Sequence, residues 1–197
     1  DTMRPDVVAR FAQERQILAR LDHPSIARLL DGGATPEGRP YLVMEFVPGG
    51  SLRDLLNNER KLTVQRVLYI ALDLADALTR AHRLNILHRD IKPGNVLLAS
   101  AGTPRLTDFG VARTQASHLT DDGQIVGTMA YLSPEALTGG DLDERHDIWA
   151  FGVMLFEMLA GRRPFPSENI GTLVTEITQM PIPDLEKLRP DAPVALV

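Results

Sequence analysis

The sequence holds no cysteine in its 197 residues. That excludes a disulfide framework and a thiolate metal site, and it fits a reducing compartment. Basic residues are not in excess: 21 Lys and Arg stand against 26 Asp and Glu, a net charge of −5. Such a balance lacks the basic face that non-specific nucleic-acid binding needs, so no nucleic-acid partner is expected. No apolar run approaches the length of a membrane span and no signal peptide is visible, so no membrane contact by this segment is expected. None of the five histidines has metal-ligand spacing. Internal repeats and low-complexity blocks are absent as well. What remains is an ordinary globular composition, 44% hydrophobic and 24% charged, in a chain long enough for one or two domains. The chain opens on Asp1 and closes on the apolar run Ala-Pro-Val-Ala-Leu-Val. It therefore reads as a piece of a longer polypeptide.

Chemistry concentrates in residues 86–98, I-L-H-R-D-I-K-P-G-N-V-L-L. Ile86 and Leu87 read as buried, and 96–98 as a short strand. Between them His88, Arg89, Asp90, Lys92 and Asn95 sit on a tight loop with Pro93 and Gly94. Polar groups on a short loop between buried anchors are the layout of a functional site. Asp108-Phe109-Gly110 follows a second short apolar strand, 105–107. Two acids, a lysine and an amide make a phosphate-and-metal kit.

Around this stretch the periodicity gives a frame. Phe11, Leu18 and Leu21 recur at helical spacing, ended by His23-Pro24. Residues 26–30 and 41–47 read as strands joined by a Gly/Pro-rich turn over 32–40. Ser51 and Asp54 have capping-box spacing. Thr63 opens an amphipathic helix to about His82, with Val67, Ile70, Ala71, Leu74 and Leu78 on one face. Residues 109–133 form a long, mostly polar stretch. From Asp143 a helix apolar nearly all round follows, its face set by Ile148, Phe151, Leu155 and Leu159. Asp147 inside it needs bonding partners. Gly161 caps its end. One more helix is expected over 169–177, then an irregular tail with four prolines.

The motifs resemble the protein kinase family, serine/threonine branch. They read H-R-D-I-K-P-G-N at 88–95, D-F-G at 108–110 and G-T-M-A-Y-L-S-P-E at 127–135, with Ser133 where Ala is usual. D-I-W-A-F-G stands at 147–152. The wording is most like bacterial kinases of eukaryotic type. The roles that follow come with that resemblance, not from spacing. The implied fold is α+β and protein-kinase-like, truncated at both ends. It has an incomplete small lobe with a regulatory helix and two or more strands, and a mainly helical large lobe. Residues 1–47 would be the partial small lobe and hinge, 48–197 the partial large lobe, and 108–135 the activation segment.

The resemblance implies transfer of the ATP γ-phosphoryl group to Ser/Thr hydroxyls of proteins in signalling. Asp90 would take the hydroxyl proton, Lys92 would neutralise the migrating group, and Thr128 would bond both. Asn95 and Asp108 would hold Mg2+, with Mn2+ as an alternative. Met44 would be the gatekeeper, Glu45 and Val47 the hinge that grips adenine, and Leu97 part of the nucleotide pocket. Ser51 would contact ribose, although helix capping explains it as well. Glu14 would pair with a strand lysine, or be a solvated helix charge. His88 and Phe109 would stack with Leu18 and Leu29. Arg89, Arg10 and Arg113 would meet a phosphate on Thr120 or Ser117; alternatively Asp121 or Asp122 supplies that charge, or the arginines coat the surface. Substrates would be proteins, including itself in trans. The location would be cytoplasmic, with the full-length protein membrane-anchored.

Two family parts are missing. No G-x-G-x-x-G-x-V loop and no V-A-I-K lysine stands ahead of Glu14. The 197-residue chain alone is therefore expected to bind ATP poorly, expose apolar surface and have little activity. A pseudokinase scaffold is the alternative reading. A small-molecule phosphotransferase is disfavoured by Arg89 and the 127–135 segment.

Overall fold

A computed structural model describes residues 18–100, 102–109 and 124–193. Glu14, Arg10, Arg113, Ser117 and Thr120 lie outside these described residues, as does most of the predicted first helix.

Two antiparallel pairs supply the strands. Strand β1 (Leu29–Ala34) pairs with β2 (Pro40–Met44), in the register Leu29 to Met44 and Gly33 to Tyr41, with an irregularity between Leu29 and Asp31. The expected boundaries over 26–30 and 41–47 were displaced. Gly32 and Gly33, read as turn, belong to the ladder. Gly33 can do so because the Tyr41 ring crosses it: a Cβ there would lie 2.9 Å from the Tyr41 hydroxyl. Ile26 instead bridges to Leu106. Strand β3 (Val96–Leu98) pairs with β4 (Pro104–Leu106), one residue earlier than the expected 105–107. This pair is stitched on both edges. Ala27 N donates to Leu106 O at 2.9 Å, Leu106 N to Ser25 O at 2.8 Å, and Leu98 N to Gly50 O at 2.8 Å.

Helix α1 (Leu52–Glu59) starts at the expected capping box: the Ser51 hydroxyl accepts from Asp54 N at 3.2 Å, and Ser51 N donates to Asp54 Oδ2 at 2.9 Å. Helix α2 (Val64–His82), capped by Thr63, buries the predicted stripe and adds Ala77 and Ala81. Helices α3 (Gln124–Met129) and α4 (Pro134–Leu137) lie in or beside what reads as a polar stretch. Helix α5 (Glu144–Ala160) is capped by Asp143 and ends on Gly161 in the left-handed region, φ 74°. Its buried face carries His146, Asp147, Ala150, Val153, Met154 and Met158, whereas Ile148, expected inside, is 59% exposed. An almost continuous apolar run gives no phase, so the sequence could not say which side faces in. Helix α6 (Ile170–Gln179) is capped by Asn169.

The tail is not irregular throughout. It forms α7 (Leu185–Leu188), and Arg189 behind it is only 4% exposed. Its Nη1 donates to Leu159 O at 2.6 Å and Leu62 O at 2.9 Å, and Asp191 pairs with it at 2.9 Å. The core sits where α2 packs on α5 and β4; Leu74, Met154, Met158, Leu106 and Ile91 are each at most 2% exposed. Each such side chain contributes on the order of 1.5–3 kcal/mol. Among the described residues no helix is long and apolar enough to cross a membrane.

Candidate active site

The loop between α2 and β3 is fixed from below by one carboxylate. Asp147 Oδ2 accepts from His88 N and Oδ1 from Arg89 N, both at 2.8 Å, and His82 Nε2 lies 2.8 Å from Oδ2. Burial works against that charge, but His82 and the two amides outweigh it and hold the Asp147 carboxyl below the usual carboxylate range. The reading of Asp147 as structural therefore has a geometry. His82, taken only as the end of the amphipathic helix, was missed as a partner; its place in the last turn of α2 was the available hint.

His88 is fully enclosed. Nε2 lies 2.9 Å from Thr107 O, and Nδ1 accepts from Asp90 N at 3.2 Å. One nitrogen donates and the other accepts, which is the neutral ring. Burial pushes its pKa down accordingly. The ring packs against Phe109, 4.5 Å between centroids and tilted by 45°. Phe109, Leu18, Leu29, Met44 and Asp108 line a cavity of about 220 Å3, so three of the four expected stack members face one space.

Above this base stands the polar cluster. Lys92 Nζ lies 3.0 Å from Asp90 Oδ2, and Asn95 Nδ2 donates to the same oxygen at 2.9 Å and to Asp90 O at 2.7 Å. Asp90 and Asn95 are each 7% exposed. Lys92 Nζ also donates to Thr128 Oγ1 at 3.1 Å, which brings the 127–135 segment to the loop. Pro93 and Asn95 close a single tight 3-10 turn that sets Asn95 over Asp90.

Asp108 follows Thr107, whose amide donates to Asn95 O at 2.9 Å. Its φ of 56° is in the left-handed region, a conformation costly for a non-glycine residue and concentrated at functional sites. Its carboxylate is exposed and has no hydrogen bond or ion pair among the described residues. Asn95 Nδ2 is spent on Asp90, which leaves Oδ1 as an oxygen ligand. A carboxylate and an amide oxygen on neighbouring strand ends suit a hard cation.

On the other side, Glu45 N donates to Arg28 O at 2.8 Å, and Val47 is 8% exposed where the chain passes to Gly49. Met44 ends β2. Leu97 on β3 bridges to Ser51, whose hydroxyl lies 2.6 Å from Asp54 Oδ2. Arg89 is exposed, with φ 66°.

Sequence reading also missed a part-buried triad. Arg53 Nη1 reaches Glu157 Oε1 at 2.8 Å, Arg53 Nη2 reaches the Tyr131 hydroxyl at 2.5 Å, and Tyr131 donates to Glu157 Oε2. Burial and the adjacent Glu157 carboxylate push the Tyr131 hydroxyl well above the phenol range.

The family model described as the protein kinase domain matches residues 2–193. The chain belongs to the protein kinase domain family, as its motifs imply. It is 37% identical over 190 residues to the protein called PknB in Lactococcus lactis, covering 96% of this chain and 30% of that protein. It is 36% identical over 186 residues to the serine/threonine-protein kinase PknB of Mycobacterium tuberculosis, covering 91% and 30%. A third relative is the serine/threonine-protein kinase PknK of Mycobacterium bovis, 39% identical over 194 residues, covering 96% and 18%. The chain thus spans about 30% of the length of the PknB relatives.

Proposed function

We propose that this chain is part of the catalytic domain of an ATP-dependent serine/threonine protein kinase, transferring the γ-phosphoryl group to protein hydroxyls. The observation that carries the reading is the Asp90 carboxylate held by both Lys92 and Asn95, with Thr128 on the same lysine. Asp90 orients the acceptor hydroxyl and takes its proton late in transfer, when little basicity is needed. Lys92 neutralises charge on the migrating group. Thr128 holds that lysine and so couples the acceptor segment to it. Asn95 Oδ1 and the Asp108 carboxylate would hold the divalent cation; Mg2+ is the expected ion, and Mn2+ can substitute. When bound, Mg-ATP supplies the transferable phosphoryl group. Met44, Glu45, Val47 and Leu97 would receive the base, with Ser51 beside the ribose and Glu14 toward a lysine.

The partition into a small-lobe part, 1–47, and a large-lobe part, 48–197, belongs to the same reading. So does regulation of the 108–135 segment by phosphate on Thr120 or Ser117 against Arg89, Arg10 and Arg113. Substrates are proteins, a second copy of the kinase included. The test is Asp90→Asn in the full-length polypeptide, read as radiolabel passed from ATP to a protein substrate. Incorporation should fall about 10²- to 10⁴-fold and should vanish in EDTA. Undiminished incorporation would overturn the proposal.

A further inference from the structure

We propose that His146 is a positioning residue for phosphoryl transfer: its bond to Ser133 fixes the 128–133 segment, and with it Thr128, against the Asp90–Lys92 pair. The inference rests on the kinase reading of that site.

Ser133 Oγ and His146 Nδ1 are 2.8 Å apart, and the two residues are 0% and 2% exposed. Ser133 is the N-cap of α4, with Pro134 in the first turn. A serine there ordinarily gives its oxygen to first-turn amides. This one makes no side-chain cap bond. Its hydroxyl is turned away from its own helix to the ring on α5. A buried pair of this kind is consequential, because removing one partner strands the other without solvent.

Position gives the pair its meaning. His146 and Asp147 are consecutive on α5. Asp147 holds the His88 and Arg89 amides, and His146 holds Ser133. One turn of one helix therefore ties down both the loop that carries Asp90 and the segment that carries Thr128. Between Thr128 and Ser133 the chain is stiff: Tyr131 N donates to Thr128 O at 3.2 Å and Leu132 N to Met129 O at 3.0 Å. Displacement at Ser133 is thus passed to Thr128. The Lys92 to Thr128 bond cannot set this geometry unaided, since a lysine side chain 20% exposed is a flexible tether.

The test uses the full-length protein with His146→Leu, Ser133→Ala, their combination, and His146→Asn, whose amide sets a hydrogen-bonding atom where Nδ1 stands. The leucine and alanine variants should raise KM for the protein substrate about fivefold. KM for ATP should stay within about twofold. The combination should be no worse than either single change, and His146→Asn should restore the wild-type value. Amide exchange gives a readout independent of catalysis. Tyr131 and Leu132 should exchange about fivefold faster in the leucine and alanine variants, while His88 and Arg89 keep their rates. Unchanged exchange at 131 and 132, additive effects, or losses that follow melting temperature alone would overturn the proposal. If His146→Leu does not fold, Ser133→Ala and His146→Asn decide the matter by the same measurements. An inactive wild-type protein would sink the kinase reading alone, because exchange still reports the tie.

Discussion

Asp147 accepts two backbone amides of the loop that carries Asp90, the proposed proton acceptor. Asp147→Ala should cost about 3–5 kcal/mol, as expected for a buried charged group whose partners are left behind, read by urea denaturation. Its folded pKa is depressed. Its contribution is therefore present above the unfolded value, about pH 4, and is lost as pH falls through the folded one. His88 adds a separate dependence. Its pKa is also depressed, but for a base this means the unfolded chain takes the proton first. Stability should therefore fall as pH drops below about 6.5. Melting temperatures between pH 7 and 5 should show a slope that His88→Gln flattens. Asp147 was legible because an acid in an apolar helix must be bonded. Glu157 in V-M-L-F-E-M-L-A invites the same argument. Its partners, Arg53 and Tyr131, lie 104 and 26 residues away, beyond any spacing rule.

Helix starts were the most readable parts of the chain. Ser51, Thr63, Asp143 and Asn169 each cap where their residue types and the following periodicity say they should. Strand limits were less so, because Gly32 and Gly33 signal a turn unless the Tyr41 ring across the ladder is known. At Gly49 a Cβ would lie 2.1 Å from Leu98 O. Gly49→Ala must therefore push the segment after β2 off β3. A loss of about 1–3 kcal/mol is expected, with weaker nucleotide binding alongside it. The tail misled through its prolines. They hid Arg189, whose guanidinium closes carbonyls at the end of α5 and ahead of α2. Arg189→Met keeps much of the bulk and removes the donors; a loss of about 2 kcal/mol is expected by denaturant titration.

Burial is uneven across the molecule. The α2–α5 contact is closed, whereas Leu30, Tyr41, Leu42, Val43 and Phe46 on and after the β1–β2 hairpin are 38–87% exposed. Apolar exposure was anticipated for this chain; among the described residues it is clustered on the hairpin, with Tyr69, Leu72, Ile148, Ile170, Met180 and Ile182 exposed elsewhere. Hydrogen exchange of the isolated 197-residue chain should open β1 and β2 at clearly lower free energy than α2 and α5. Equal protection in both regions would contradict that division. The motifs at 88–95 and 108–110 were legible because they lie in short loops where residue type dictates chemistry, and those at 127–135 and 147–152 because they stand in order behind them. The ties that hold those loops were not, because they join distant residues.

The β3–β4 pair, sewn at one edge to residues 25–27 and at the other to 50–51, has a mechanical outcome. Asn95 and Asp108 leave the ends of one small plate, and Asp90 is strapped to it by the Asn95 amide. In the proposed kinase, the spacing between the Asp90 carboxylate and the Asn95 and Asp108 oxygens would therefore be set by that plate and not by the β1–β2 hairpin.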